Sequence, residues 1–192
     1  MPASPVVWTI GHSNHEFGYF VGLLERHGIG FVIDVRSYPY STHAPQFSRE
    51  ELQARLRGHG VGYLFLGEEL GGRPARDEHY DPDGHALYRA MAREPQFCVA
   101  IERLLEGARN HRIALVCSEG DPRHCHRRLL VGKVLTDRGA ELRHIQRNGE
   151  VLVERSVELD SGPPALFGKE ESEWRSTQSV SRRRRLSTSS AG

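Results

Sequence analysis

The stretch of sequence that decides the fold is IALVCSEGDPRHCHRRLL, residues 113–130. Its first five residues are continuously apolar, and a polar turn then leads into a segment with the composition of a helix. An apolar strand without a polar face must be buried on both sides, which is typical of a parallel sheet covered by helices. The same stretch carries Cys117, Cys125 and His126, so it also indicates where the chemistry of the protein lies.

Three further apolar runs have the length and the β-branched or aromatic content of buried strands. Helical patterns separate them: one begins after Asn14, one begins at a capping box formed by Ser48 and Glu51, and one surrounds Leu104. A fourth helix is predicted from Pro122, with Asp121 as its N-cap, to Gly139. This alternation predicts an α/β fold with a single-domain, three-layer open sheet that is mainly parallel. The three runs are VVWTI (6–10), FVIDV (31–35) and GYLFL (62–66).

The remaining segments divide the chain into one domain and a tail. Asn148 and Gly149 separate two extended runs and predict a C-terminal hairpin. The polar stretch 67–94 is rich in glycine and proline, and a loop of this length in a compact domain is typical of a lid or a binding loop. We therefore predict an α/β domain over residues 1–159 and a disordered Arg/Ser-rich tail over residues 160–192.

The composition limits the class of protein and its compartment. The chain has 192 residues and three cysteines, which is too few for a secreted disulfide framework. No apolar run approaches the roughly 20 residues of a membrane span, and the N-terminus lacks the pattern of a signal peptide. We therefore expect a cytoplasmic protein with no membrane partner.

The charge of the chain is uneven between the domain and the tail. Basic and acidic residues nearly balance within residues 1–159, so this part does not by itself indicate a nucleic acid or membrane partner. The tail carries four consecutive arginines, and these leave nucleic acid open as a partner. They are Arg182, Arg183, Arg184 and Arg185.

Polar side chains follow each of the four predicted strands. In a parallel sheet these positions share the carboxyl edge, where open α/β folds place their ligand crevice. An arginine beside an aspartate so close to a buried strand is a costly choice, which favours a functional cluster over ordinary polar loops. The residues are His12 and Ser13 after the first strand, Asp34, Arg36 and Ser37 at the second, Glu68 after the third, and Cys117 and Glu119 at the fourth.

Several of these residues also lie in motifs that resemble the domain-of-unknown-function family 488. The motifs are TIGHS (9–13), DVRSYPYS (34–41), YLFLGEELGG (63–72) and CSEGDPRHCHR (117–127), the last with the signature C-x-E-x5-C-H-R. The resemblance spans about residues 7–146 and implies a compact α/β fold, but it supplies no reaction. It implies an edge cluster of His12, Asp34, Arg36, Cys117, Glu119, Cys125, His126 and Arg127.

The two cysteines of the last motif allow several interpretations. Residues 117–123 match the C-x2-G-x2-R pattern of a cysteine phosphatase, but Glu119 and Asp121 would repel a phosphate and Pro122 lacks an N–H donor. A redox pair of Cys117 and Cys125 would require their Cα atoms to lie within about 7 Å. Nothing in the stretch resembles a C-x-x-C motif.

A metal site and a packing role are the next two interpretations. Cys117, Cys125 and His126 are the candidate metal ligands, with His12 or His144 as a further one. Adjacent residues on a helix point about 100° apart, so we expect Cys125 and His126 seldom to reach one ion. The packing interpretation places Cys125 against the sheet.

The last interpretation makes Cys117 a nucleophile at the sheet edge. A helix N-terminus together with Arg36 or Arg127 would lower the pKa of its thiol. His12 or His126 would then move protons, and Glu119 would orient one of these histidines. The residues expected to bind substrate are Arg36, Ser13, Ser37, Arg127 and Glu68.

We therefore predict an enzyme with a Cys/His/Arg/Glu pocket that acts on a small anionic or nucleotide-like substrate. The alternatives are a nucleic-acid-binding or DNA-processing accessory protein and a metal-binding protein. We expect His12, Arg36, Cys117 and Glu119 to line one pocket with the Cys117 sulfur partly exposed. We expect Cys98, on an apolar helical face, to be inert packing.

Overall fold

The computed structural model describes residues 4–154 and 174–180. Its centre is a six-stranded sheet with the strand order β3-β2-β4-β1-β5-β6. Strands β1 to β5 are parallel, and β6 runs antiparallel to β5. The predicted parallel direction of the first four strands is therefore confirmed. The strands are β1 Val6–Gly11, β2 Phe31–Asp34, β3 Gly62–Phe65, β4 Ile113–Cys117, β5 Glu141–Ile145 and β6 Val151–Val153.

In the described part of the chain, six α-helices, three 3₁₀ helices and a π-helix connect the strands. The α-helices are α1 Phe17–Arg26, α2 Arg49–Gly58, α3 Gly67–Leu70, α4 Tyr88–Met91, α5 Pro95–Asn110 and α6 Lys133–Asp137. Pro45–Phe47, Asp77–His79 and Pro122–His124 are 3₁₀ helices, and Arg127–Gly132 is a π-helix. Within residues 4–154 and 174–180, no helix has the length and apolar character needed to cross a membrane.

The sheet separates two apolar cores, as the three-layer prediction requires. Side chains of β4 alternate between them: Ala114 and Val116 pack with α1 and α2, whereas Ile113 and Leu115 pack with α5 and the π-helix. This alternation arises because successive residues of a strand point to opposite faces. Both faces of the sheet are covered, which explains why its central strands contain almost no polar residue.

The helix boundaries follow local signals except at Ser48 and in the segment from Pro122 to Gly139, where the predicted single helix is wrong because the segment divides into a 3₁₀ helix, a π-helix and α6. Gly28 adopts a φ of +64° directly after α1, a conformation that favours glycine, and so ends that helix. Asp121 caps the 3₁₀ helix as predicted, because its side chain accepts a hydrogen bond from the Arg123 amide. The predicted capping box at Ser48 is wrong, since its side chain makes no capping bond and instead lies 3.4 Å from the amide of Ser41.

The predicted hairpin is confirmed between β5 and β6. Gly149 has a φ of +83° at the turn, and the Gln146 amide donates to the Glu150 carbonyl across it at 2.8 Å. The Asn148 side chain accepts from the Glu150 amide at 3.0 Å, which is the local bond expected of asparagine in a turn.

The stretch 67–94 is more structured than a simple loop. It contains α3, a 3₁₀ helix and α4, and a bridge pairs Tyr80 with Ala86. Leu70, Tyr88 and Met91 are buried and anchor the stretch to the core of which α5 is part. The prediction that this stretch serves as a lid stays a prediction.

The predicted disorder of the tail falls mainly on residues outside the described part, and these include Arg182 to Arg185. The described part does include residues 174–180, which pack on the domain. The Trp174 indole donates to the Leu129 carbonyl at 2.8 Å, and Ser176 exchanges two hydrogen bonds with Ala86. This short segment therefore belongs to the packed structure, and we name it the 174–180 segment.

Candidate active site

A cavity of about 440 Å³ opens at the carboxyl ends of β1, β2 and β4. His12, Arg36, Cys117 and Glu119 all line it, so the predicted convergence of these four residues is confirmed. Their convergence follows from topology, because the carboxyl ends of neighbouring parallel strands meet at one edge. Part of the stretch 67–94 and the 174–180 segment supply the rest of the wall.

The centre of the site is a contact between Cys117 and His126. The Cys117 Sγ lies 3.8 Å from the His126 Nδ1, and the His126 Nε2 donates to the Val35 carbonyl at 2.8 Å. Because the carbonyl can only accept, Nε2 carries a proton, and Nδ1 of the neutral ring is free to accept one from the thiol. The arrangement therefore supports transfer of the thiol proton to give a thiolate beside an imidazolium.

The electrostatics of the site favour this ion pair. A hydrogen bond from Cys125 lowers the pKa of the Cys117 thiol well below its usual value, and His126 and Arg127 add to this effect against the opposing cost of burial. Burial alone would lower the pKa of His126, but the Cys117 thiolate and the Val35 carbonyl raise it. The two groups thus stabilise each other's charged form.

Cys125 lies beside the same imidazole, contrary to the expectation from helical geometry. It links the 3₁₀ helix to the residues before the π-helix in an extended conformation, with φ −100° and ψ 138°. Its Sγ lies 3.9 Å from the His126 Nδ1, and the three side chains bring their ligand atoms within 4.8 Å of one another. The prediction that Cys125 and His126 diverge is therefore wrong, because Cys125 is not helical.

Cys117 is less exposed than predicted. Only 4 % of its surface is exposed, although the residue lines the cavity. It ends a central strand, and His126 and Cys125 cover its sulfur. Burial of this kind restricts the thiol to small reagents that enter the cavity.

Arg36 is held rigidly at the cavity wall by Asp34. Its Nε and Nη2 donate to the two carboxylate oxygens of Asp34 at 2.8 and 2.6 Å, and the Tyr63 hydroxyl donates to the same carboxylate at 2.7 Å. Both charged groups are nearly inaccessible to solvent, so each compensates the buried charge of the other. The planar guanidinium retains further N–H groups with which to bind an anion in the cavity.

His12 is placed to orient Arg36 rather than to carry a proton. Its Nδ1 donates to the Ser13 carbonyl at 2.9 Å, which leaves Nε2 to accept from the Arg36 Nη1 at 3.1 Å. Burial, followed by the nearby Arg36 charge, lowers the pKa of His12 to about 4. The ring is therefore neutral at pH 7 with its acceptor already occupied by Arg36, and the proton-moving role that we predicted for it stays a prediction that this arrangement does not support.

The structure places three predicted substrate-binding residues outside the cavity lining. Arg127 is fully buried and donates to Thr9 and to the carbonyls of Glu119 and Gly120, so it fastens the loop after Cys117. Glu68 is exposed on α3, and the amide of Ser13 binds the Ser118 carbonyl. The expectation that Arg127, Glu68 and Ser13 bind substrate therefore stays a prediction that the cavity lining does not support, whereas Ser37 does line the cavity and accepts from the Arg73 amide at 2.8 Å.

Glu119 lies exposed at the rim of the cavity. It orients neither histidine, because the bonds of His126 go to Val35 and the thiols and those of His12 go to Ser13 and Arg36. The predicted orienting role of its carboxylate is wrong.

The close packing of this edge depends on two glycines. A Cβ on Gly11 would lie 1.8 Å from the Glu119 carbonyl oxygen, and one on Gly72 would lie 2.6 Å from the His126 Cγ. Gly72 therefore lets the 67–94 stretch press against the imidazole. The glycine pair in GEELGG could have indicated this close approach, but we interpreted it only as evidence for a loop.

Two other interpretations lose support from the geometry. Arg123, the arginine of the phosphatase pattern, is exposed and pairs with Asp121 at 3.2 Å, so it does not reach the thiol. His144, a suggested fourth metal ligand, is buried between Thr9 and Glu154 at 2.7 Å from each. Cys117, Cys125 and His126 remain a set of donors that could hold a metal ion.

The fold and the site define an α/β domain with a cysteine–histidine pair at the carboxyl edge of its parallel sheet. The chain belongs to the family described as domain of unknown function DUF488, whose model matches residues 17–134. The match includes the C-x-E-x5-C-H-R signature but not the TIGHS motif. No curated protein and no solved structure matched the chain.

Proposed function

We propose that the protein is a thiol-dependent enzyme that acts on a small anionic substrate through Cys117. The observation that carries the proposal is the 3.8 Å contact between the Cys117 Sγ and the His126 Nδ1, in a cavity that Arg36 also lines. A nucleophile, a proton carrier and an anion-binding group then face one space, as covalent catalysis requires. Three free cysteines suit a reducing compartment, and we propose the cytoplasm.

The proposed reaction has two steps. The Cys117 thiolate attacks the electrophilic centre of the substrate and forms a thio-linked intermediate, while the His126 imidazolium donates its proton to the departing group. Water then attacks the intermediate and gives its proton to the now neutral His126. This restores the thiolate and the imidazolium and releases the second product.

The cavity supports an anionic and ring-bearing substrate. The Arg36 guanidinium is pre-oriented by Asp34, so little entropy is lost when it binds a carboxylate or phosphate. Tyr38 and Tyr40 line the mouth and are exposed, with their ring centroids 5.3 Å apart. Aromatic rings at this position could stack on a base, which is why we retain a nucleotide-like compound as a candidate substrate.

Paired alkylating reagents test the thiolate and the anion site together. Iodoacetate and iodoacetamide differ only in a carboxylate against an amide, and peptide mass mapping reports Cys117 and Cys98 separately. We expect Cys117 to react at least about tenfold faster than Cys98 at pH 7, since thiolate content governs the rate. We expect the iodoacetate-to-iodoacetamide rate ratio at Cys117 to exceed that of free cysteine.

Variants of two arginines complete this test. Arg36→Lys keeps the charge that Asp34 needs but loses the fork, and we expect the rate ratio to fall by roughly tenfold, as for one lost charge-assisted hydrogen bond. Arg109→Ala removes an exposed arginine at the opposite edge and should leave the ratio unchanged. Slow labelling of Cys117 in folded, chelator-treated protein would contradict the proposal, as would equal effects of the two variants.

Catalysis itself is tested with a panel of nucleotide and aryl esters that carry a phosphate or a carboxylate. The expected result is turnover that disappears in Cys117→Ser and persists in Cys98→Ser, since Cys98 lies outside the cavity. Turnover that survives in Cys117→Ser would place the activity elsewhere.

Metal binding is the second candidate function, because the ligand atoms of Cys117, Cys125 and His126 lie within 4.8 Å of one another. Three protein ligands with an open position are typical of catalytic zinc. Tight zinc binding by the purified protein, with loss of alkylation that a chelator reverses, would favour this candidate.

A further inference from the structure

We propose that Cys125 is a resolving cysteine, and that a hydroperoxide converts Cys117 and Cys125 into a reversible disulfide that switches the site off. This inference rests on the proposed function only for the thiolate at Cys117. It assigns to Cys125 a role that substrate turnover does not require.

The positions of the two sulfurs carry the inference. Both cysteines line the same cavity, and their Sγ atoms lie 3.8 and 3.9 Å from one imidazole nitrogen of His126. The two sulfurs therefore lie within 4.8 Å of each other while remaining unbonded. The third cysteine, Cys98 on α5, contacts the Ala92 carbonyl at the end of α4 and does not line the cavity.

The local backbone favours closure of the bond. A disulfide needs a sulfur separation of about 2 Å, so the two sulfurs must approach by less than about 3 Å. Cys125 is an extended residue between the 3₁₀ helix and the π-helix rather than a residue inside a regular helix. A change of its rotamer and a small shift of this link can supply the approach.

The oxidation has two balanced steps. The Cys117 thiolate attacks one oxygen of the hydroperoxide and breaks the O–O bond, which gives a sulfenic acid and an alcohol or water after His126 protonates the leaving oxygen. The Cys125 thiol then attacks the sulfenic sulfur, and its proton leaves with the hydroxyl as water. The sulfur pair has lost two electrons to the peroxide, and a small dithiol such as dithiothreitol, which is itself oxidised to a disulfide, restores both thiols.

Burial explains why such a device suits this site. With 4 % exposure Cys117 is open to small peroxides but not to bulky partners, so an internal thiol is the resolving group at hand. Cys125, at 1 % exposure, has no route to a partner outside the molecule. The disulfide would spare Cys117 from irreversible oxidation to a sulfinic acid.

The test treats the reduced full chain with a slight excess of hydrogen peroxide and maps its cysteines by mass spectrometry. We expect the wild-type protein to lose two hydrogens as a Cys117–Cys125 disulfide forms. Cys117 should then no longer react with iodoacetate, and dithiothreitol should restore that reaction. Cys98→Ser is the matched control and should behave as the wild type. Cys125→Ser should instead give a sulfenic acid that dimedone traps, and then a sulfinic acid that dithiothreitol does not reverse.

The outcomes separate this inference from the proposed function. A wild-type Cys117 that alkylates rapidly but forms a sulfinic acid without a disulfide overturns the inference and leaves the proposed enzyme intact. A disulfide that involves Cys98 also overturns it. A Cys117 that neither alkylates nor oxidises in the folded protein overturns both.

Discussion

The two ends of the same parallel sheet carry cavities of very different character. At the amino edge, a depression of about 740 Å³ is lined by Arg109, Arg112 and Arg143, with Trp8 between two of them. It is larger than the cavity of about 440 Å³ at the carboxyl edge, whose lining contains two arginines, Arg36 and Arg73. The described residues that line it include neither a thiol nor a carboxylate.

The difference shows that burial and mutual bonding, rather than volume or the number of charges, identify the candidate site. Arg109 and Arg112 are exposed, and an exposed arginine costs the fold little. Arg36 and Asp34 are buried together, and the buried Cys117 contacts His126 in the wall of the same cavity. Burial of charged and titratable groups costs free energy, and clusters of such groups are typical of functional sites.

The largest expected effect is a pH dependence of the free energy of unfolding that arises from His12 at the carboxyl edge. Burial and Arg36 lower the pKa of His12 to about 4 in the folded protein. In the unfolded chain His12 therefore takes up a proton near pH 6.5, whereas in the folded protein it takes up this proton only near pH 4. The stability that His12 contributes is therefore complete above pH 6.5 and is lost as the pH falls towards 4. The loss should be on the order of 1–3 kcal/mol.

Urea unfolding between pH 7 and pH 4 measures this contribution. His12→Gln keeps an acceptor for Arg36 but does not titrate, so its stability should fall less steeply than that of the wild type. Asn110→Ala, at an exposed residue of the amino edge that carries no titratable group, should retain the wild-type slope. A steep fall in His12→Gln equal to that of the wild type would show that His12 is not the titrating group.

Crowding around His126 should give the next largest effect. A Cβ at Gly72 would lie 2.6 to 2.9 Å from three atoms of the His126 side chain, so Gly72→Ala should destabilise the fold by about 1–3 kcal/mol. Gly107→Ala on α5 meets nothing within 4 Å and should be neutral or stabilising by about 0.5–1 kcal/mol.

Chemical unfolding gives both free energies, and the alkylation rate of Cys117 gives a second readout. If Gly72→Ala displaces the imidazole, the thiolate loses a partner and the rate falls along with the stability. Equal stabilities for the two glycine variants would mean that the 67–94 stretch yields readily and does not hold the imidazole.

Much of the fold was readable because burial leaves a strong pattern. Runs such as IALVC cannot face water, and glycines at 28 and 149 mark turns that require a positive φ. The carboxyl-edge cluster followed from the same reasoning, since parallel strands bring their ends together. His12, Arg36 and Cys117 could therefore be grouped without any coordinates.

The partners within that cluster could not be read from spacing. A single helix from Pro122 to Gly139 predicted that the side chains of Cys125 and His126 point in different directions. In the structure, a 3₁₀ helix, an extended residue and a π-helix bring these side chains together. Arg127 binds the backbone carbonyls of Glu119 and Gly120, a role with no periodic signature. The docking of the 174–180 segment depends on contacts distant in sequence, such as Trp174 with Leu129.

The smallest expected effect concerns that docked segment, which has no counterpart among the described residues that line the amino-edge depression. Trp174 anchors it through the bond to Leu129 and an edge contact with Tyr88, whose ring centroid lies 6.2 Å away. Trp174→Ala should loosen residues 176–180 at the cavity wall and admit larger reagents. We expect N-phenylmaleimide to label Cys117 a few-fold faster, with little change for iodoacetamide, because loosely packed segments open at low free-energy cost.

Phe31→Ala is the matched control at the amino edge, where a partly exposed aromatic ring packs on His111 with centroids 4.8 Å apart. It should leave the rates at which both reagents label Cys117 unchanged, since the ring lies at the opposite end of the sheet. If both variants raise the labelling rate of Cys117 equally with both reagents, the cause is a general loosening of the fold. A selective gain with the bulky reagent in Trp174→Ala alone would show that the 174–180 segment limits entry to the thiol, so that the carboxyl edge is a guarded site and the amino edge an open surface.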